Sequence, residues 1–128
     1  MKDTVTLAAR LMIALIFLVA GWGKLGPGYA GAQQYMASAG LPGMLLPLVI
    51  MTELGGGLAV LIGLFTRLAA LALAGFTVLA ALFFHTNFAD QMQAIMFMKN
   101  IAMAGGMLLL AVHGPGSYSV DATLLHRA

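Results

Sequence analysis

The stretch from Leu45 to Phe65 constrains the fold more than any other, because it is apolar enough to cross a bilayer and yet holds a carboxylate, Glu53, near its middle. A charged side chain at that depth costs about 3 kcal/mol on insertion scales. A stripe of small residues, which lets another helix approach closely in lipid, runs beside this carboxylate at helical spacing: Thr52, Gly56, Ala59, Gly63 and Thr66. We therefore expect Glu53 to face the protein interior, either in a structural ion pair or in a functional site.

The composition is that of an integral membrane protein. Hydrophobic residues make up 62% of the chain and charged residues only 8%, whereas soluble domains carry about 25% charged residues. Four apolar runs, at about 7–25, 44–65, 68–84 and 94–112, each fit a hydrocarbon core of about 30 Å. Because the second and third runs have almost no loop between them, they must be antiparallel neighbours. The sequence predicts one all-α domain over 1–128, an antiparallel four-helix membrane bundle.

Several classes of function and processing are disfavoured. The chain has no cysteine, which excludes disulfides and thiolate metal sites, and we predict no metal site. A formal charge of +2 without a basic cluster gives no indication of nucleic-acid binding. The first apolar run resembles a signal peptide, but Trp22 and Lys24 stand where a small-residue cleavage site is needed. We interpret it as an uncleaved first span.

The loops and charges predict how the spans are arranged. The only substantial loop, 26–43, could form a short surface helix over 29–39 that acts as a lid, or it could simply connect two spans. An even number of spans places both termini on the same side of the membrane. After Gly114 we expect a polar tail with about one helical turn. Basic residues favour a cytoplasmic location for the termini, with Lys2, Arg10, Arg67 and Arg127 on that side against Lys24 and Lys99 on the other.

Polar side chains on inward faces define a candidate ligand site in the outer half of the bundle: Lys24, Glu53, His85, Lys99 and Asn100. At a helical rise of 1.5 Å per residue, Glu53 lies roughly 14 Å and Lys99 roughly 8 Å below the outer surface. We predict that these two residues form an ion pair, with Asn100 and His85 nearby. Lys24 could instead be an interface anchor and His85 a solvated helix end. Close helix contacts are expected at small residues: Gly21, Gly56, Ala59, Gly63 and Gly106.

Four segments carry a resemblance to a known family: the run GLPGMLLPLVIMTELGGGLAVLIGLFTRLAALAL, the G-x-x-K of 21–24, the run KNIAMAGGMLLL from Lys99, and the tail GPGSYSVD. Together they resemble the DoxX family of small four-helix membrane proteins. The resemblance implies a bacterial inner-membrane protein. Related DoxD-type subunits belong to thiosulfate:quinone oxidoreductase, so it also implies a quinone ligand and a redox role. Glu53 and Lys99 match recurring polar positions of the family, and His85 matches less closely.

Three functions remain open at this point. The first is a quinone-linked redox subunit that binds quinone at the polar site and takes electrons from a partner protein or a soluble substrate. The second is a non-catalytic assembly or scaffold protein. The third is a small-solute transporter; small multidrug transporters also have four spans and one membrane glutamate, but theirs lies in the first span. The residues leave open whether the chain is an enzyme and whether it forms a homo-oligomer.

Overall fold

The computed structural model describes residues 1–126, and every regular element in that range is helical. The α-helices are α1 (Lys2–Gly23), α2 (Gly28–Ser38), α3 (Leu46–Ile62), α4 (Thr66–Phe84), α5 (Gln91–His113) and α6 (Val120–His126), with a 3₁₀ turn at Gly43–Leu45. Four of them, α1, α3 (with its preceding turn), α4 and α5, are long and apolar enough to cross a membrane. The predicted all-α class with four spans is confirmed. Arg127, used above to predict the orientation, lies outside the described residues.

A tight turn joins α3 to α4 and makes them antiparallel neighbours, as predicted. Gly63 ends α3 with a φ of 75°, in the left-handed conformation that glycine adopts without steric cost. Phe65 is also left-handed, with a φ of 47°. The carboxylate of Asp121 accepts hydrogen bonds from the N–H groups of Phe65 (2.7 Å) and Thr66 (2.8 Å). It thereby satisfies N–H groups that have no partner within α4.

The spanning helices pack in the order α1, α3, α4, α5, and α1 makes few contacts with α5. Near the termini a core joins all four helices: Ala14, Phe17, Val60, Ala70, Leu73, Ala74, Ala104, Met107 and Leu110. At the opposite end Met36 of α2 packs with Leu46 and Ile50 of α3 in a smaller cluster. The bundle is therefore filled near the termini, and α2 covers its other end.

The small residues expected at helix contacts are not equivalent. A Cβ atom on Gly21 would lie 2.8 Å from Cγ of Leu54, and one on Gly56 would lie 2.9 Å from Cδ2 of Leu73. Ala59 is half-buried and Gly63 is buried in the turn after α3. Gly106 differs from the expectation, because no atom lies within 4 Å of the place its Cβ would take. On α5 the buried residues are instead Ala104, Met107 and Leu110.

Gly56→Leu is expected to lower the free energy of unfolding by about 1–3 kcal/mol, because the new side chain would overlap Leu73, which is fully buried and cannot move aside. Unfolding in detergent measures the effect. Gly106→Leu is the matched control and should change stability by less than about 0.5 kcal/mol, since the space there is open. Equal losses in the two variants would show that Gly56 is not a close helix contact.

The C-terminal segment, residues 114–126, is docked on the bundle and contains the helix α6 rather than a single turn. Arg10, only 1% exposed, donates hydrogen bonds to the carbonyl oxygens of Pro115 (3.0 Å), Tyr118 (2.9 Å) and Leu61 (3.3 Å). Asp3 accepts a hydrogen bond from the N–H of Ser117 at 3.1 Å. These contacts bring the N-terminus, the α3–α4 turn and the C-terminal segment to the same end of the bundle.

Candidate functional site

Glu53 forms an intramembrane ion pair with Lys24. Its carboxylate faces the interior, as predicted, and the residue is 5% exposed. Nζ of Lys24 lies 2.7 Å from Oε1 of Glu53 and 3.3 Å from the carbonyl oxygen of Ala20. Lys99 is exposed on α5 and makes no ion pair within the described part of the chain. The predicted Glu53–Lys99 pair is therefore wrong.

The close approach of α1 and α3 explains the choice of partner. Gly21 leaves so little room that a Cβ there would lie 3.1 Å from Cβ of Glu53. Lys24 follows one turn later at the end of α1, so its side chain extends directly over the carboxylate. The G-x-x-K spacing of residues 21–24 was the sequence signal for this pair: a glycine that admits the neighbouring helix, followed by a cation on the same face.

The ion pair lies in the wall of a cavity of about 410 Å³ in the half of the bundle covered by α2. Its volume is in the usual range for small-molecule sites, about 300–1,000 Å³. All four spanning helices contribute to a lining that is mostly apolar. The polar lining residues are Lys24, Tyr35, Thr52, Glu53, Thr77 and Asn100, and the aromatic ones besides Tyr35 are Phe17, Phe76, Phe83 and Phe84.

The helix α2 covers one end of this cavity, where Ala32, Tyr35 and Met36 line it. The ring of Tyr35 stacks on that of Phe84, with centroids 4.7 Å apart and planes inclined by 11°. Met36 is 5% exposed and anchors the same helix. Gly26 and Gly40, both at positive φ, flank α2 and allow the chain to turn sharply into and out of it. The loop thus has the short helix predicted for its middle, and that helix lies where a lid would lie.

Part of the cavity wall reaches the outer surface of the bundle. Four apolar residues line it while remaining roughly half exposed: Ile16, Leu48, Leu79 and Phe83. They belong to α1, α3 and α4, so the exposed edge lies on the sides of the bundle that face acyl chains. The edge of the cavity on this side is therefore apolar and partly exposed.

Three of the five predicted site residues come together, and two do not. Lys24, Glu53 and Asn100 line the cavity, but Lys99 and His85 do not. The His85 ring lies 6.4 Å from that of Phe84, and its Nδ1 is buried without a hydrogen-bond partner among the described residues. α5 is rotated so that Asn100 faces inward and Lys99, about 100° around the helix, faces outward.

Sequence reasoning did not assign Thr52, Thr77 or Tyr35 to the site. Thr52 was identified only as part of the small-residue stripe, although its place next to Glu53 was the available signal. Thr77 also lines the cavity, and its carbonyl oxygen accepts a hydrogen bond from Nδ2 of Asn100 at 3.3 Å. Among the described residues no group of three or more His, Cys, Asp or Glu is close enough to hold a metal ion. The polar groups that are present suit hydrogen bonding and proton exchange.

These features define a small four-helix membrane protein with a buried ion pair in the wall of an apolar cavity. The sequence matches the DoxX family over residues 5–86, and the chain belongs to that family. It is 54% identical over 124 residues to inner membrane protein YqjF of Escherichia coli (strain K12), covering 97% of this chain and 95% of that protein. Inner membrane protein YphA of the same strain is 35% identical over 127 residues, covering 94% and 90%. No solved structure matches significantly.

The resemblance seen in the sequence is thereby confirmed. An inner-membrane location agrees with the four helices that can cross a membrane. It also agrees with the two relatives, which are inner membrane proteins matched over nearly their full length. The chain is a small inner-membrane protein of the DoxX family.

Proposed function

We propose that the protein binds a lipid-soluble quinone in this cavity and acts as a quinone-linked subunit or accessory of a membrane redox system. The observation that carries the proposal is the Glu53–Lys24 pair in the wall of an apolar cavity whose edge has partly exposed apolar residues. Quinones combine a flat ring, polar oxygens at its edge and a long apolar tail. Each of these parts has a counterpart in the site.

The ring fits among the aromatic side chains, where stacking and edge contacts add to apolar burial. The head oxygens lie within a lining that offers the Lys24 ammonium, the Glu53 carboxylate and the Asn100 amide. The tail leaves through the edge marked by Leu48 and Leu79, both more than half exposed. Polar groups at one wall and an apolar exit at another would orient a molecule of this shape in a single direction.

The chemistry assigned to this chain is binding, orientation and proton exchange. Glu53 and Lys24 are joined by a charge-assisted hydrogen bond, so either can pass a proton to or from a ligand oxygen nearby. The electrons belong to a partner protein or a soluble substrate. This division of labour is what distinguishes an accessory subunit from a complete oxidoreductase.

Blocking the cavity is expected to weaken quinone binding at least tenfold. Ala80 lines the cavity on α4, so Ala80→Phe places a ring in the space that the ligand needs. Ala72→Phe is the matched control, because Ala72 is exposed on the same helix and does not line the cavity. Equilibrium dialysis of purified protein against decylubiquinone measures the dissociation constants. Equal binding by the two variants would place the ligand elsewhere.

The same experiment separates this proposal from the other two functions. If the wild-type protein binds no quinone and co-purifies with one fixed protein, the scaffold function is favoured. If it drives proton-coupled uptake of a solute into vesicles and Glu53→Gln abolishes that uptake, the transporter function is favoured. Either outcome would overturn quinone binding as the function of the cavity.

We also propose that both termini are cytoplasmic, as the distribution of basic residues favours. The absence of native cysteines gives a clean background for labelling. Lys2→Cys is expected to resist a membrane-impermeant maleimide in intact spheroplasts and to react after permeabilisation. Met44→Cys is the control, because Met44 is 88% exposed at the opposite end of the bundle and should react without permeabilisation. The reverse pattern would invert the orientation.

A further inference from the structure

The hydroxyl of Thr77 is a buried polar group that the protein itself does not satisfy. Thr77 is 2% exposed, and its Oγ1 has no hydrogen-bond partner among the described residues. A threonine inside a helix can donate to the carbonyl oxygen four residues earlier, as Thr6 does to Lys2 (2.9 Å) and Thr52 does to Leu48 (2.8 Å). Thr77 makes no such bond, although it lies in the middle of α4. Because a buried hydroxyl without a partner lowers stability, its donor is available to a ligand.

Asn100 lies next to Thr77 and adds further hydrogen-bonding groups. Its Nδ2 donates to the carbonyl oxygen of Thr77 at 3.3 Å, which fixes the orientation of the amide. A side-chain amide has two N–H groups and one carbonyl oxygen, so one N–H and Oδ1 are left for a ligand. Both residues line the cavity. Together they form a second polar point, on α4 and α5, with donors and an acceptor that suit either a carbonyl or a hydroxyl oxygen.

The second polar point lies at nearly the same depth in the bundle as the ion pair. Gly56 of α3 packs against Leu73 of α4, since a Cβ on the glycine would lie 2.9 Å from Cδ2 of the leucine. The two helices are antiparallel, so the end covered by α2 is reached by going back along α3 and forward along α4. From this contact Glu53 lies about 4.5 Å and Thr77 about 6 Å toward that end, at a rise of 1.5 Å per residue. The polar groups therefore form one layer across the bundle.

We propose that the cavity holds its ligand at both ends of the ring, with one oxygen at the Glu53–Lys24 pair and the other at the second polar point. This rests on the proposed function and adds the requirement for two oxygens on opposite sides of one ring. Lys24 has one N–H left beyond its bonds to Glu53 and to the carbonyl oxygen of Ala20. Thr77 and Asn100 are the specificity-determining residues. A molecule with a polar group at one end only leaves them unused.

The test removes one oxygen from the ligand and one hydroxyl from the protein. Equilibrium dialysis of the full-length protein in detergent, under anaerobic conditions, compares 2-decylhydroquinone with 3-decylphenol, which lacks one of the two ring oxygens. The wild-type protein is expected to bind the hydroquinone more tightly by about fivefold or more. Thr77→Val keeps the shape of the side chain without its hydroxyl, and it should weaken hydroquinone binding about fivefold more than phenol binding. The reason is that a single oxygen takes the stronger, charge-assisted bonds of the ion pair.

Three further variants show whether the effect belongs to the hydroxyl. Thr77→Ser brings the hydroxyl back and should restore the ratio of the two dissociation constants. Asn100→Leu should lower that ratio without touching the ion pair. Lys99→Met is the control and should leave the ratio unchanged, because Lys99 neighbours Asn100 on α5 but does not line the cavity.

The outcomes distinguish two-point binding from the function on which it rests. If the wild-type protein binds neither 2-decylhydroquinone nor decylubiquinone, the proposed quinone function fails. If the hydroquinone binds but Thr77→Val changes the binding of both ligands by the same factor, or of neither, the second contact is overturned while the quinone function stands. Should Thr77→Val fail to fold, Asn100→Leu decides the matter, and an unchanged ratio in that variant overturns two-point binding.

Discussion

Lys24→Met is expected to lower the free energy of unfolding by about 3 kcal/mol, because it leaves the Glu53 carboxylate buried without a partner. Glu53→Gln should cost less, about 1–2 kcal/mol. The side chain of Lys24 is 29% exposed and stands at the end of α1, so its ammonium can turn toward water once the carboxylate is gone. The two single variants should therefore differ, although they break the same bond.

A double-mutant cycle on Lys24 and Glu53, measured by unfolding in detergent, tests the coupling directly. We expect the double variant to recover about 1.5–3 kcal/mol of the summed losses, since it leaves neither charge unpaired. A second cycle that combines Lys99→Met with Glu53→Gln is the control and should be additive within about 0.5 kcal/mol. Additivity in the first cycle, or coupling in the second, would contradict the pairing seen in the structure.

Arg10→Met is expected to cost about 3 kcal/mol or more. The arginine is 1% exposed, and its removal leaves the carbonyl oxygens of Pro115 and Tyr118 without their side-chain donor in a partly buried place. It also releases the C-terminal segment from α1. Because Asp121 in that segment caps the start of α4, we expect the loss to extend to the α3–α4 turn.

Arg67→Met is the matched control for the buried arginine. Arg67 also donates to backbone carbonyl oxygens, those of Ala111 and Val112 near the end of α5, but the residue is exposed. Water can replace its hydrogen bonds, so we expect a loss below about 1 kcal/mol. Thermal or denaturant unfolding in the same detergent compares the two variants. Similar losses would show that burial of Arg10 contributes little and that the C-terminal segment is held by other contacts.

Much of the fold could be predicted because a chain that crosses a bilayer must satisfy its backbone hydrogen bonds internally. Only helices and closed barrels do so. Hydropathy predicted the four spans. The structure shows that the buried residues of α1, which are Arg10, Ala14, Phe17 and Gly21, recur at helical spacing. The start of α1 at Lys2 rather than near Leu7 was not predicted, because polar first-turn residues lower the hydropathy of a helix without ending it.

The partner of Glu53 was predicted wrongly, because two adjacent faces of α5 are equally suited to packing. One contains Lys99 and Gly106, the other Asn100, Ala104 and Met107, and both mix small and apolar residues. Only tertiary contact with α4 decides between them, and it turns Asn100 toward Thr77. A helical period fixes which residues share a face, but not which of two similar faces is buried.

No local sequence pattern predicted that the C-terminal segment packs against the bundle either. Arg10 meets carbonyl oxygens more than a hundred positions along the chain, and Asp121 caps a helix that begins at Thr66. In the sequence, Arg10 was counted among the basic residues that favour a cytoplasmic location for the termini. Its burial shows that the same residue also ties that end of the bundle together.

Mass spectrometry of the molecules retained after purification in a mild detergent tests the central claim most directly. The wild-type protein is predicted to carry a prenylated quinone or hydroquinone, and Ala80→Phe to carry much less of it. Ala72→Phe should match the wild type, because its new ring points away from the cavity. Phospholipid alone in all three samples, or equal quinone in wild type and Ala80→Phe, would contradict a quinone site beside Glu53 and Lys24.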